Sequence, residues 1–324
     1  MKTLIALLLA FVAASAAAQD PALAQYASRV ELYSIPTLTI SDSDFLKGDA
    51  SQAKPATVNA ELRIAQRSGR TPVAVLIHGS SGVGPNIELW VRDLNAMGFS
   101  TFVIDGFTGR GLTVVGPDQS LLGRLNLALD AYRGLDILAK HPRIDPARIV
   151  MMGFSRGGQA TLFASVKRFN ELWNKSGVEF AAHIPFYPDC STTYLRDTQL
   201  TAHPVRIFHG TPDDYNPVAS CRAYVERLKA AGNDVQLTEY PNAQHAFDNP
   251  LASATPAPSR NSQTVRNCRI REEAPGELMN TATGQRFQYS DACVERDPHT
   301  GRDPEATEAA RKAVAEFLRT VTKP

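Results

Sequence analysis

From Pro72 onward the chain repeats one unit: a short apolar run, a turn carrying Gly or Asp, then an amphipathic stretch. "PVAVLIHG" (72–79) reads as a strand buried on both faces, because its first six residues are all apolar and a half-exposed strand would alternate. "NIELWVRDLNAMG" (86–98) follows with helical spacing and is closed by Gly98. The unit returns as "FSTFVIDG" (99–106) with a helix over 118–141, and as "ARIVMMG" with a helix over 156–169. "EFAAHIPFYP", "VRIFHG" and "VQLTEYP" supply three further strands, with a helix over 217–231 between the last two. A final helix over 304–318 offers Ala310, Val314, Phe317 and Leu318 to the sheet. Such alternation requires helices covering a parallel sheet. The expected class is α/β, with a mostly parallel central sheet flanked by helices.

Two regions break the rhythm. Before Pro72, "RVELYSIPTLTI" and "ATVNAELRIAQ" read as an antiparallel ribbon leading into the sheet. Between 250 and 298 the chain lacks clean periodicity and is rich in Pro, Ser, Asn and Arg, which reads as a surface insertion pinned by a disulfide. No linker separates two domains, so residues 19–324 are expected to form one. At 324 residues, 43% of them hydrophobic, the chain can bury a substantial core without metal or oligomerisation. Residues 1–18 have the form of a secretory signal: Lys2, the apolar run Leu4–Ala14, then small residues ending in an Ala-x-Ala site before Gln19. Its removal takes Lys2 away and leaves basic residues equal in number to the 33 acidic ones. That balance gives no footing for nucleic acid or a membrane surface, and no later segment is apolar enough to span a bilayer. The mature protein is expected in the periplasm or outside the cell. Four cysteines fit two disulfides there. Three pairings exist; Cys190 with Cys221 and Cys268 with Cys293 are favoured because each closes a local segment. No Cys-x-x-Cys or paired spacing suggests zinc, and no cofactor or metal motif is found.

"GFSRGG" (153–158) sets Ser155 in Gly-x-Ser-x-Gly between a strand and a helix, where small neighbours permit a tight turn that lifts Oγ clear of the sheet. A nucleophilic serine needs a base, a carboxylate to orient the base, and donors for the oxyanion. On a parallel sheet these converge at the carboxyl ends of strands. His245, in "NAQHAFD" after the last strand, is the candidate base. Asp213, in "HGTPDDYNP", is the favoured acid over its neighbour Asp214. His78 and His209 precede glycines at strand ends and read as structural. "HGSSG" (78–82) puts the backbone N–H of Ser80 where it can join that of Arg156 in an oxyanion hole.

Together "HGSSG", "IDGFTGRG", "GFSRGG", "HGTPDDYNP" and "YPNAQHAFDNP" resemble the α/β-hydrolase fold and, within it, the dienelactone-hydrolase-like group, over roughly Pro72 to Pro250. The resemblance implies a cofactor-free hydrolase of small esters or lactones that works through an acyl-enzyme. The chain departs from the founding enzymes in carrying Ser155 where they carry cysteine, in its export signal and in the segment before the last helix. Arg110 matches an arginine of these relatives; it either ties its loop in place, the favoured role, or meets an acyl carboxylate. A serine peptidase, an acyltransferase and a silent binding protein are the competing readings on the same scaffold. The sequence leaves the oligomeric state open.

Overall fold

Seven consecutive residues, Thr71–Ile77, have no exposed side chain, and their alternation sorts the whole core. Val73, Val75 and Ile77 point into one apolar cluster and Ala74 and Leu76 into another. A strand buried on both faces must be sandwiched, and it is. The computed structural model describes residues 29–322; the leader expected over 1–18 lies outside them. We number the principal elements β1 (Arg29–Thr39), α1 (Asp42–Lys47), β2 (Lys54–Ile64), β3 (Thr71–Ile77), α2 (Pro85–Ala96), β4 (Ser100–Asp105) and α3 (Asn126–Ala139). They continue as β5 (Ile144–Phe154), α4 (Arg156–Ala164), α5 (Lys167–Trp173), β6 (Ala182–Phe186), β7 (Val205–Gly210), α6 (Val218–Ala230), β8 (Val235–Tyr240) and α7 (Pro304–Val321).

The eight strands form one sheet in the order β1-β2-β4-β3-β5-β6-β7-β8. β1 pairs antiparallel with β2 from Arg29↔Ile64 to Thr39↔Lys54, and β2 pairs antiparallel with β4. All other pairs are parallel. The expected ribbon is thus the sheet's antiparallel edge. α3 buries Leu127, Leu129, Leu135 and Leu138 in the cluster that contains Val73; α2 and α7 bury Trp90, Leu94, Val314 and Leu318 in the other. Each such side chain, taken from water, contributes about 1.5–3 kcal/mol. Phe317 is only partly buried and lies under the Arg206 guanidinium, 4.8 Å from its ring.

Two expected helices are shorter than their periodicity suggests. Residues 118–125 hold a single 3-10 turn over Gln119–Leu121, because their N–H groups are drawn outward. That of Gln119 donates to Gln263 Oε1 (2.8 Å) and that of Arg124 to Asp42 Oδ1. The run 156–169 breaks after Ala164, where the Ser165 carbonyl accepts from Thr201 N–H (2.8 Å) instead of from the next helical turn. The segment from Pro250 to Asp303 contains only short paired strands; one hairpin, Ile270–Ala274 with Glu277–Asn280, adds to Thr192–Thr193. Glu272 in this hairpin is buried on Arg168, which donates to its Oε1 and Oε2 at 2.6 and 2.8 Å. The disulfides Cys190–Cys221 and Cys268–Cys293 are both formed, as expected from locality. Among the described residues no helix is long and apolar enough to cross a membrane.

Candidate active site

β5 ends at Phe154 and α4 begins at Arg156, leaving Ser155 alone to reverse the chain. Its φ of 54° and ψ of −113° lie outside the regions an L-residue ordinarily adopts. The flanking glycines allow this by close approach. A Cβ on Gly157 would lie 2.2 Å from the Ile77 carbonyl oxygen, and one on Gly153 would lie 2.1 Å from the Gly157 carbonyl. Helix α4 is therefore pressed onto β3 and β5, and Oγ is lifted to the rim.

The structure brings Ser155, Asp213 and His245 together. Ser155 Oγ is 2.9 Å from His245 Nε2, and His245 Nδ1 is 2.8 Å from Asp213 Oδ2. A carboxylate only accepts, so Nδ1 carries the proton and Nε2 is left to accept from the serine hydroxyl. Asp213 Oδ1 is held by the N–H groups of Tyr215 and Asn216, both at 2.8 Å. Burial pushes the Asp213 carboxyl up, but the His245 imidazole and the His209 hydrogen bond outweigh it and hold the group well below the usual carboxylate range. Asp214 faces the other way. It accepts from His299 N–H and Nδ1 (2.7 and 2.9 Å) and from Arg266 Nη1 (2.9 Å), tying down the segment beyond Pro250.

Several contributors lay beyond the sequence reading. The imidazole of His245 stacks on Tyr215 (4.5 Å, 27°) and meets Tyr187 edge-on (4.8 Å, 62°). Tyr187, at φ 37° just after β6, donates its hydroxyl to Asp248 Oδ1 (2.6 Å), and Trp90 Nε1 donates to Asp248 Oδ2 (2.8 Å). Burial pushes the Asp248 carboxyl up against these donors. His209 is structural as read, yet it touches the acid: Nε2 donates to the Asn216 carbonyl (2.8 Å) and lies 3.3 Å from Asp213 Oδ2. The position of Tyr187 at a strand end and of Asp248 three residues after the base was the available signal. Neither residue type there demands such a role.

His78 holds the turn that follows β3. Its Nε2 accepts from Gly106 N–H (3.0 Å), so its Nδ1 donates to the Gly79 carbonyl (2.8 Å), which also receives Gly82 N–H (3.2 Å). Burial holds this imidazole's pKa down, which keeps the accepting tautomer. In a trans peptide N–H points opposite to C=O, so the Ser80 N–H is turned away from His78. Among the described residues neither the Ser80 nor the Arg156 N–H has a backbone partner, and both residues line a small cavity with Ser155. The Arg156 side chain turns inward to Gln119 Oε1 and the Leu122 carbonyl.

Arg110 has the contacts of the favoured loop-tying role, and only the alternative, contact with an acyl carboxylate, is corrected. Nε donates to Thr39 Oγ1 (3.0 Å), Nη1 to the Gly106 carbonyl and Asp130 Oδ2 (2.6 and 2.7 Å), and Nη2 to the Leu38 carbonyl and Asp130 Oδ1 (2.7 and 2.8 Å). All five guanidinium donors are engaged, which leaves none for an acyl carboxylate. Arg110 clamps the β1 end, its own loop and α3. Among the described residues no three His, Cys, Asp or Glu side chains assemble as a metal cluster.

The profile described as the Dienelactone hydrolase family matches residues 58–322. Among solved structures, the chain is similar to a dienelactone hydrolase-like promiscuous phosphotriesterase from metagenomic libraries (16% identity, 91% of this chain and 99% of that one, TM-score 0.58). It is also similar to an α/β hydrolase enzyme from a Medee basin deep-sea metagenome library (15%, 91% and 99%, 0.52). A third is Thermogutta terrifontis esterase 2 phosphoramylated by tabun (15%, 89% and 95%, 0.54). At these identities the likeness carries the fold.

Proposed function

The chain belongs to the dienelactone hydrolase family and is a hydrolase of ester-type substrates, and on that premise we propose that it cleaves carboxylic esters or lactones through an acyl-enzyme on Ser155. The observation that carries this reading is the unbroken relay from Ser155 Oγ through His245 to Asp213. Oγ attacks the ester carbonyl carbon as its proton passes to Nε2; Asp213 orients the imidazole and stabilises the cation that forms. The N–H groups of Ser80 and Arg156 receive the oxyanion, each worth on the order of 3 kcal/mol in the transition state. The carbon–oxygen bond to the alcohol breaks and Nε2 returns the proton to that oxygen. Water, deprotonated by the same nitrogen, then attacks the acyl-enzyme, releasing the acid and restoring Oγ–H.

Residues 19–324 act as one unit in this reading, and the segment 250–298, pinned by Cys268–Cys293, walls the site. Export to the periplasm or beyond is supported by the leader's pattern and by two disulfides, which persist in oxidising compartments. The test is a chromogenic ester combined with a fluorophosphonate probe. Labelling on Ser155, with turnover and labelling both lost in Ser155→Ala, is the expected result. Turnover retained by the variant overturns the assignment.

A further inference from the structure

Three residues other than glycine hold left-handed φ around the pocket: Ser155 at 54°, Tyr187 at 37° and Ala246 at 58°. The first makes the nucleophile turn. The other two belong to one closed circuit through His245. The Tyr187 ring meets the imidazole at 4.8 Å, its hydroxyl donates to Asp248 Oδ1 at 2.6 Å, and the chain runs from Asp248 back through Phe247 and the Ala246 turn to His245. Such backbone is strained and persists only where its surroundings hold it. Tyr187 is held firmly: its N–H donates to the Phe208 carbonyl (2.8 Å), its carbonyl accepts from Asn216 Nδ2 (2.9 Å), and its ring packs on Phe247 at 5.7 Å. Asp248 is buried, and its three side-chain donors are neutral: the Tyr187 hydroxyl, Trp90 Nε1 at 2.8 Å and Asn86 Nδ2 at 3.3 Å. A carboxylate buried among neutral donors is costly compared with an apolar side chain of similar volume. Stability alone therefore gives no reason for it.

We propose that Tyr187, braced by Asp248, is a positioning residue for His245, and that its hold matters most while the acyl group is on the serine. This rests on the triad reading of the preceding section. In the resting site the imidazole has two polar holds, Ser155 Oγ at Nε2 (2.9 Å) and Asp213 Oδ2 at Nδ1 (2.8 Å). Acylation removes the first, because the ester oxygen has no proton to donate and Nε2 has already returned its own to the alcohol. A ring held at one atom can tilt about it. Tyr215 stacks on the imidazole and Tyr187 stands across it at 62°, so the two rings together oppose that tilt. The hydroxyl bond to Asp248 keeps the tyrosine in its place. Nε2 then stays within reach of the water it must deprotonate.

The test is steady-state kinetics of the full chain on 4-nitrophenyl acetate, with active sites counted by a fluorophosphonate probe. Tyr187→Phe keeps the ring and removes only the bond to Asp248. It is expected to lower kcat about tenfold, less than the roughly 100-fold that a 1 Å misplacement costs. KM falls with kcat, since slower deacylation lets the acyl-enzyme accumulate, and kcat/KM, which reports acylation, changes by less than about threefold. A general loosening of the fold lowers kcat and kcat/KM alike and does not mimic this split. Trp90→Phe frees the other oxygen of Asp248; it is expected to shift both constants in the same direction and decides the matter should Tyr187→Phe fail to fold. A kcat unchanged in the variants, or a kcat/KM that falls as far as kcat, overturns the proposal and leaves ester hydrolysis standing. Wild-type turnover no greater than that of Ser155→Ala overturns the triad reading and this inference with it.

Discussion

The rim of the parallel sheet and the chain between Pro250 and Asp303 build two sides of one pocket by different means. At the rim Ser155 follows directly on a strand, so the backbone ladder fixes its place, and its N–H donates to the Phe186 carbonyl at 3.0 Å; Asp213 and His245 sit in the loops after theirs. Beyond Pro250 there is little ladder, and position depends on side chains that reach back: Thr264 Oγ1 to the Tyr215 carbonyl (2.6 Å), Arg266 to Asp214, Glu272 to Arg168. The adjacent carboxylates Asp213 and Asp214 divide between these regions, one to the base and the other to the irregular wall. On the proposed reading the chemistry falls to the sheet rim.

The sharpest way to break this division is Ser155→Ala, expected to lower kcat by about five to six orders of magnitude with the melting temperature little changed; an ester assay and a thermal melt read both. Asp213→Asn is expected to cost about ten-thousand-fold in kcat by leaving His245 in the wrong tautomer. Asp214→Asn should cost less than about tenfold and instead lower the melting temperature; steady-state kinetics showing the reverse order would undo the contrast. Replacing Cys268 and Cys293 by serine is expected to destabilise the chain by about 3 kcal/mol, measured by denaturant unfolding, with a smaller loss on acetate esters than on stability. The smallest effect is in pH. Asp213 keeps its charge through the ordinary carboxylate range, so its protonation should add no acid limb to kcat/KM there; an added limb in that range means the depression is absent. The sign for stability follows from the same depression: the stabilisation is complete above the unfolded carboxyl's value and disappears only in strong acid.

How far the sequence could be read follows the same division. Strands β3 to β8 and the residues at their ends were legible because a buried parallel strand must be apolar and a nucleophile turn must be small; "PVAVLIHG" and "GFSRGG" satisfy those demands visibly. The leading ribbon was legible from its alternation. The helix over 118–141 was misjudged at its start because Gln263 and Asp42, far away in sequence, take the N–H groups that would begin it. Arg110 matched the family pattern, but Asp130, in a helix whose spacing says nothing of ion pairs, engages it from below. Tyr187 and Asp248 act by contact, and contact across an irregular chain leaves no period to detect.

The carbonyl of His245 accepts from Gly301 N–H (3.1 Å), and that of Phe247 accepts from Asp303 N–H (2.9 Å) and Thr307 Oγ1 (3.0 Å). The loop that carries His245 is thus latched by residues some sixty positions later, at the entry to the last helix. Loosening the Gly301–Thr307 stretch is therefore expected to free the His245 loop while Ser155 stays held at the end of its own strand.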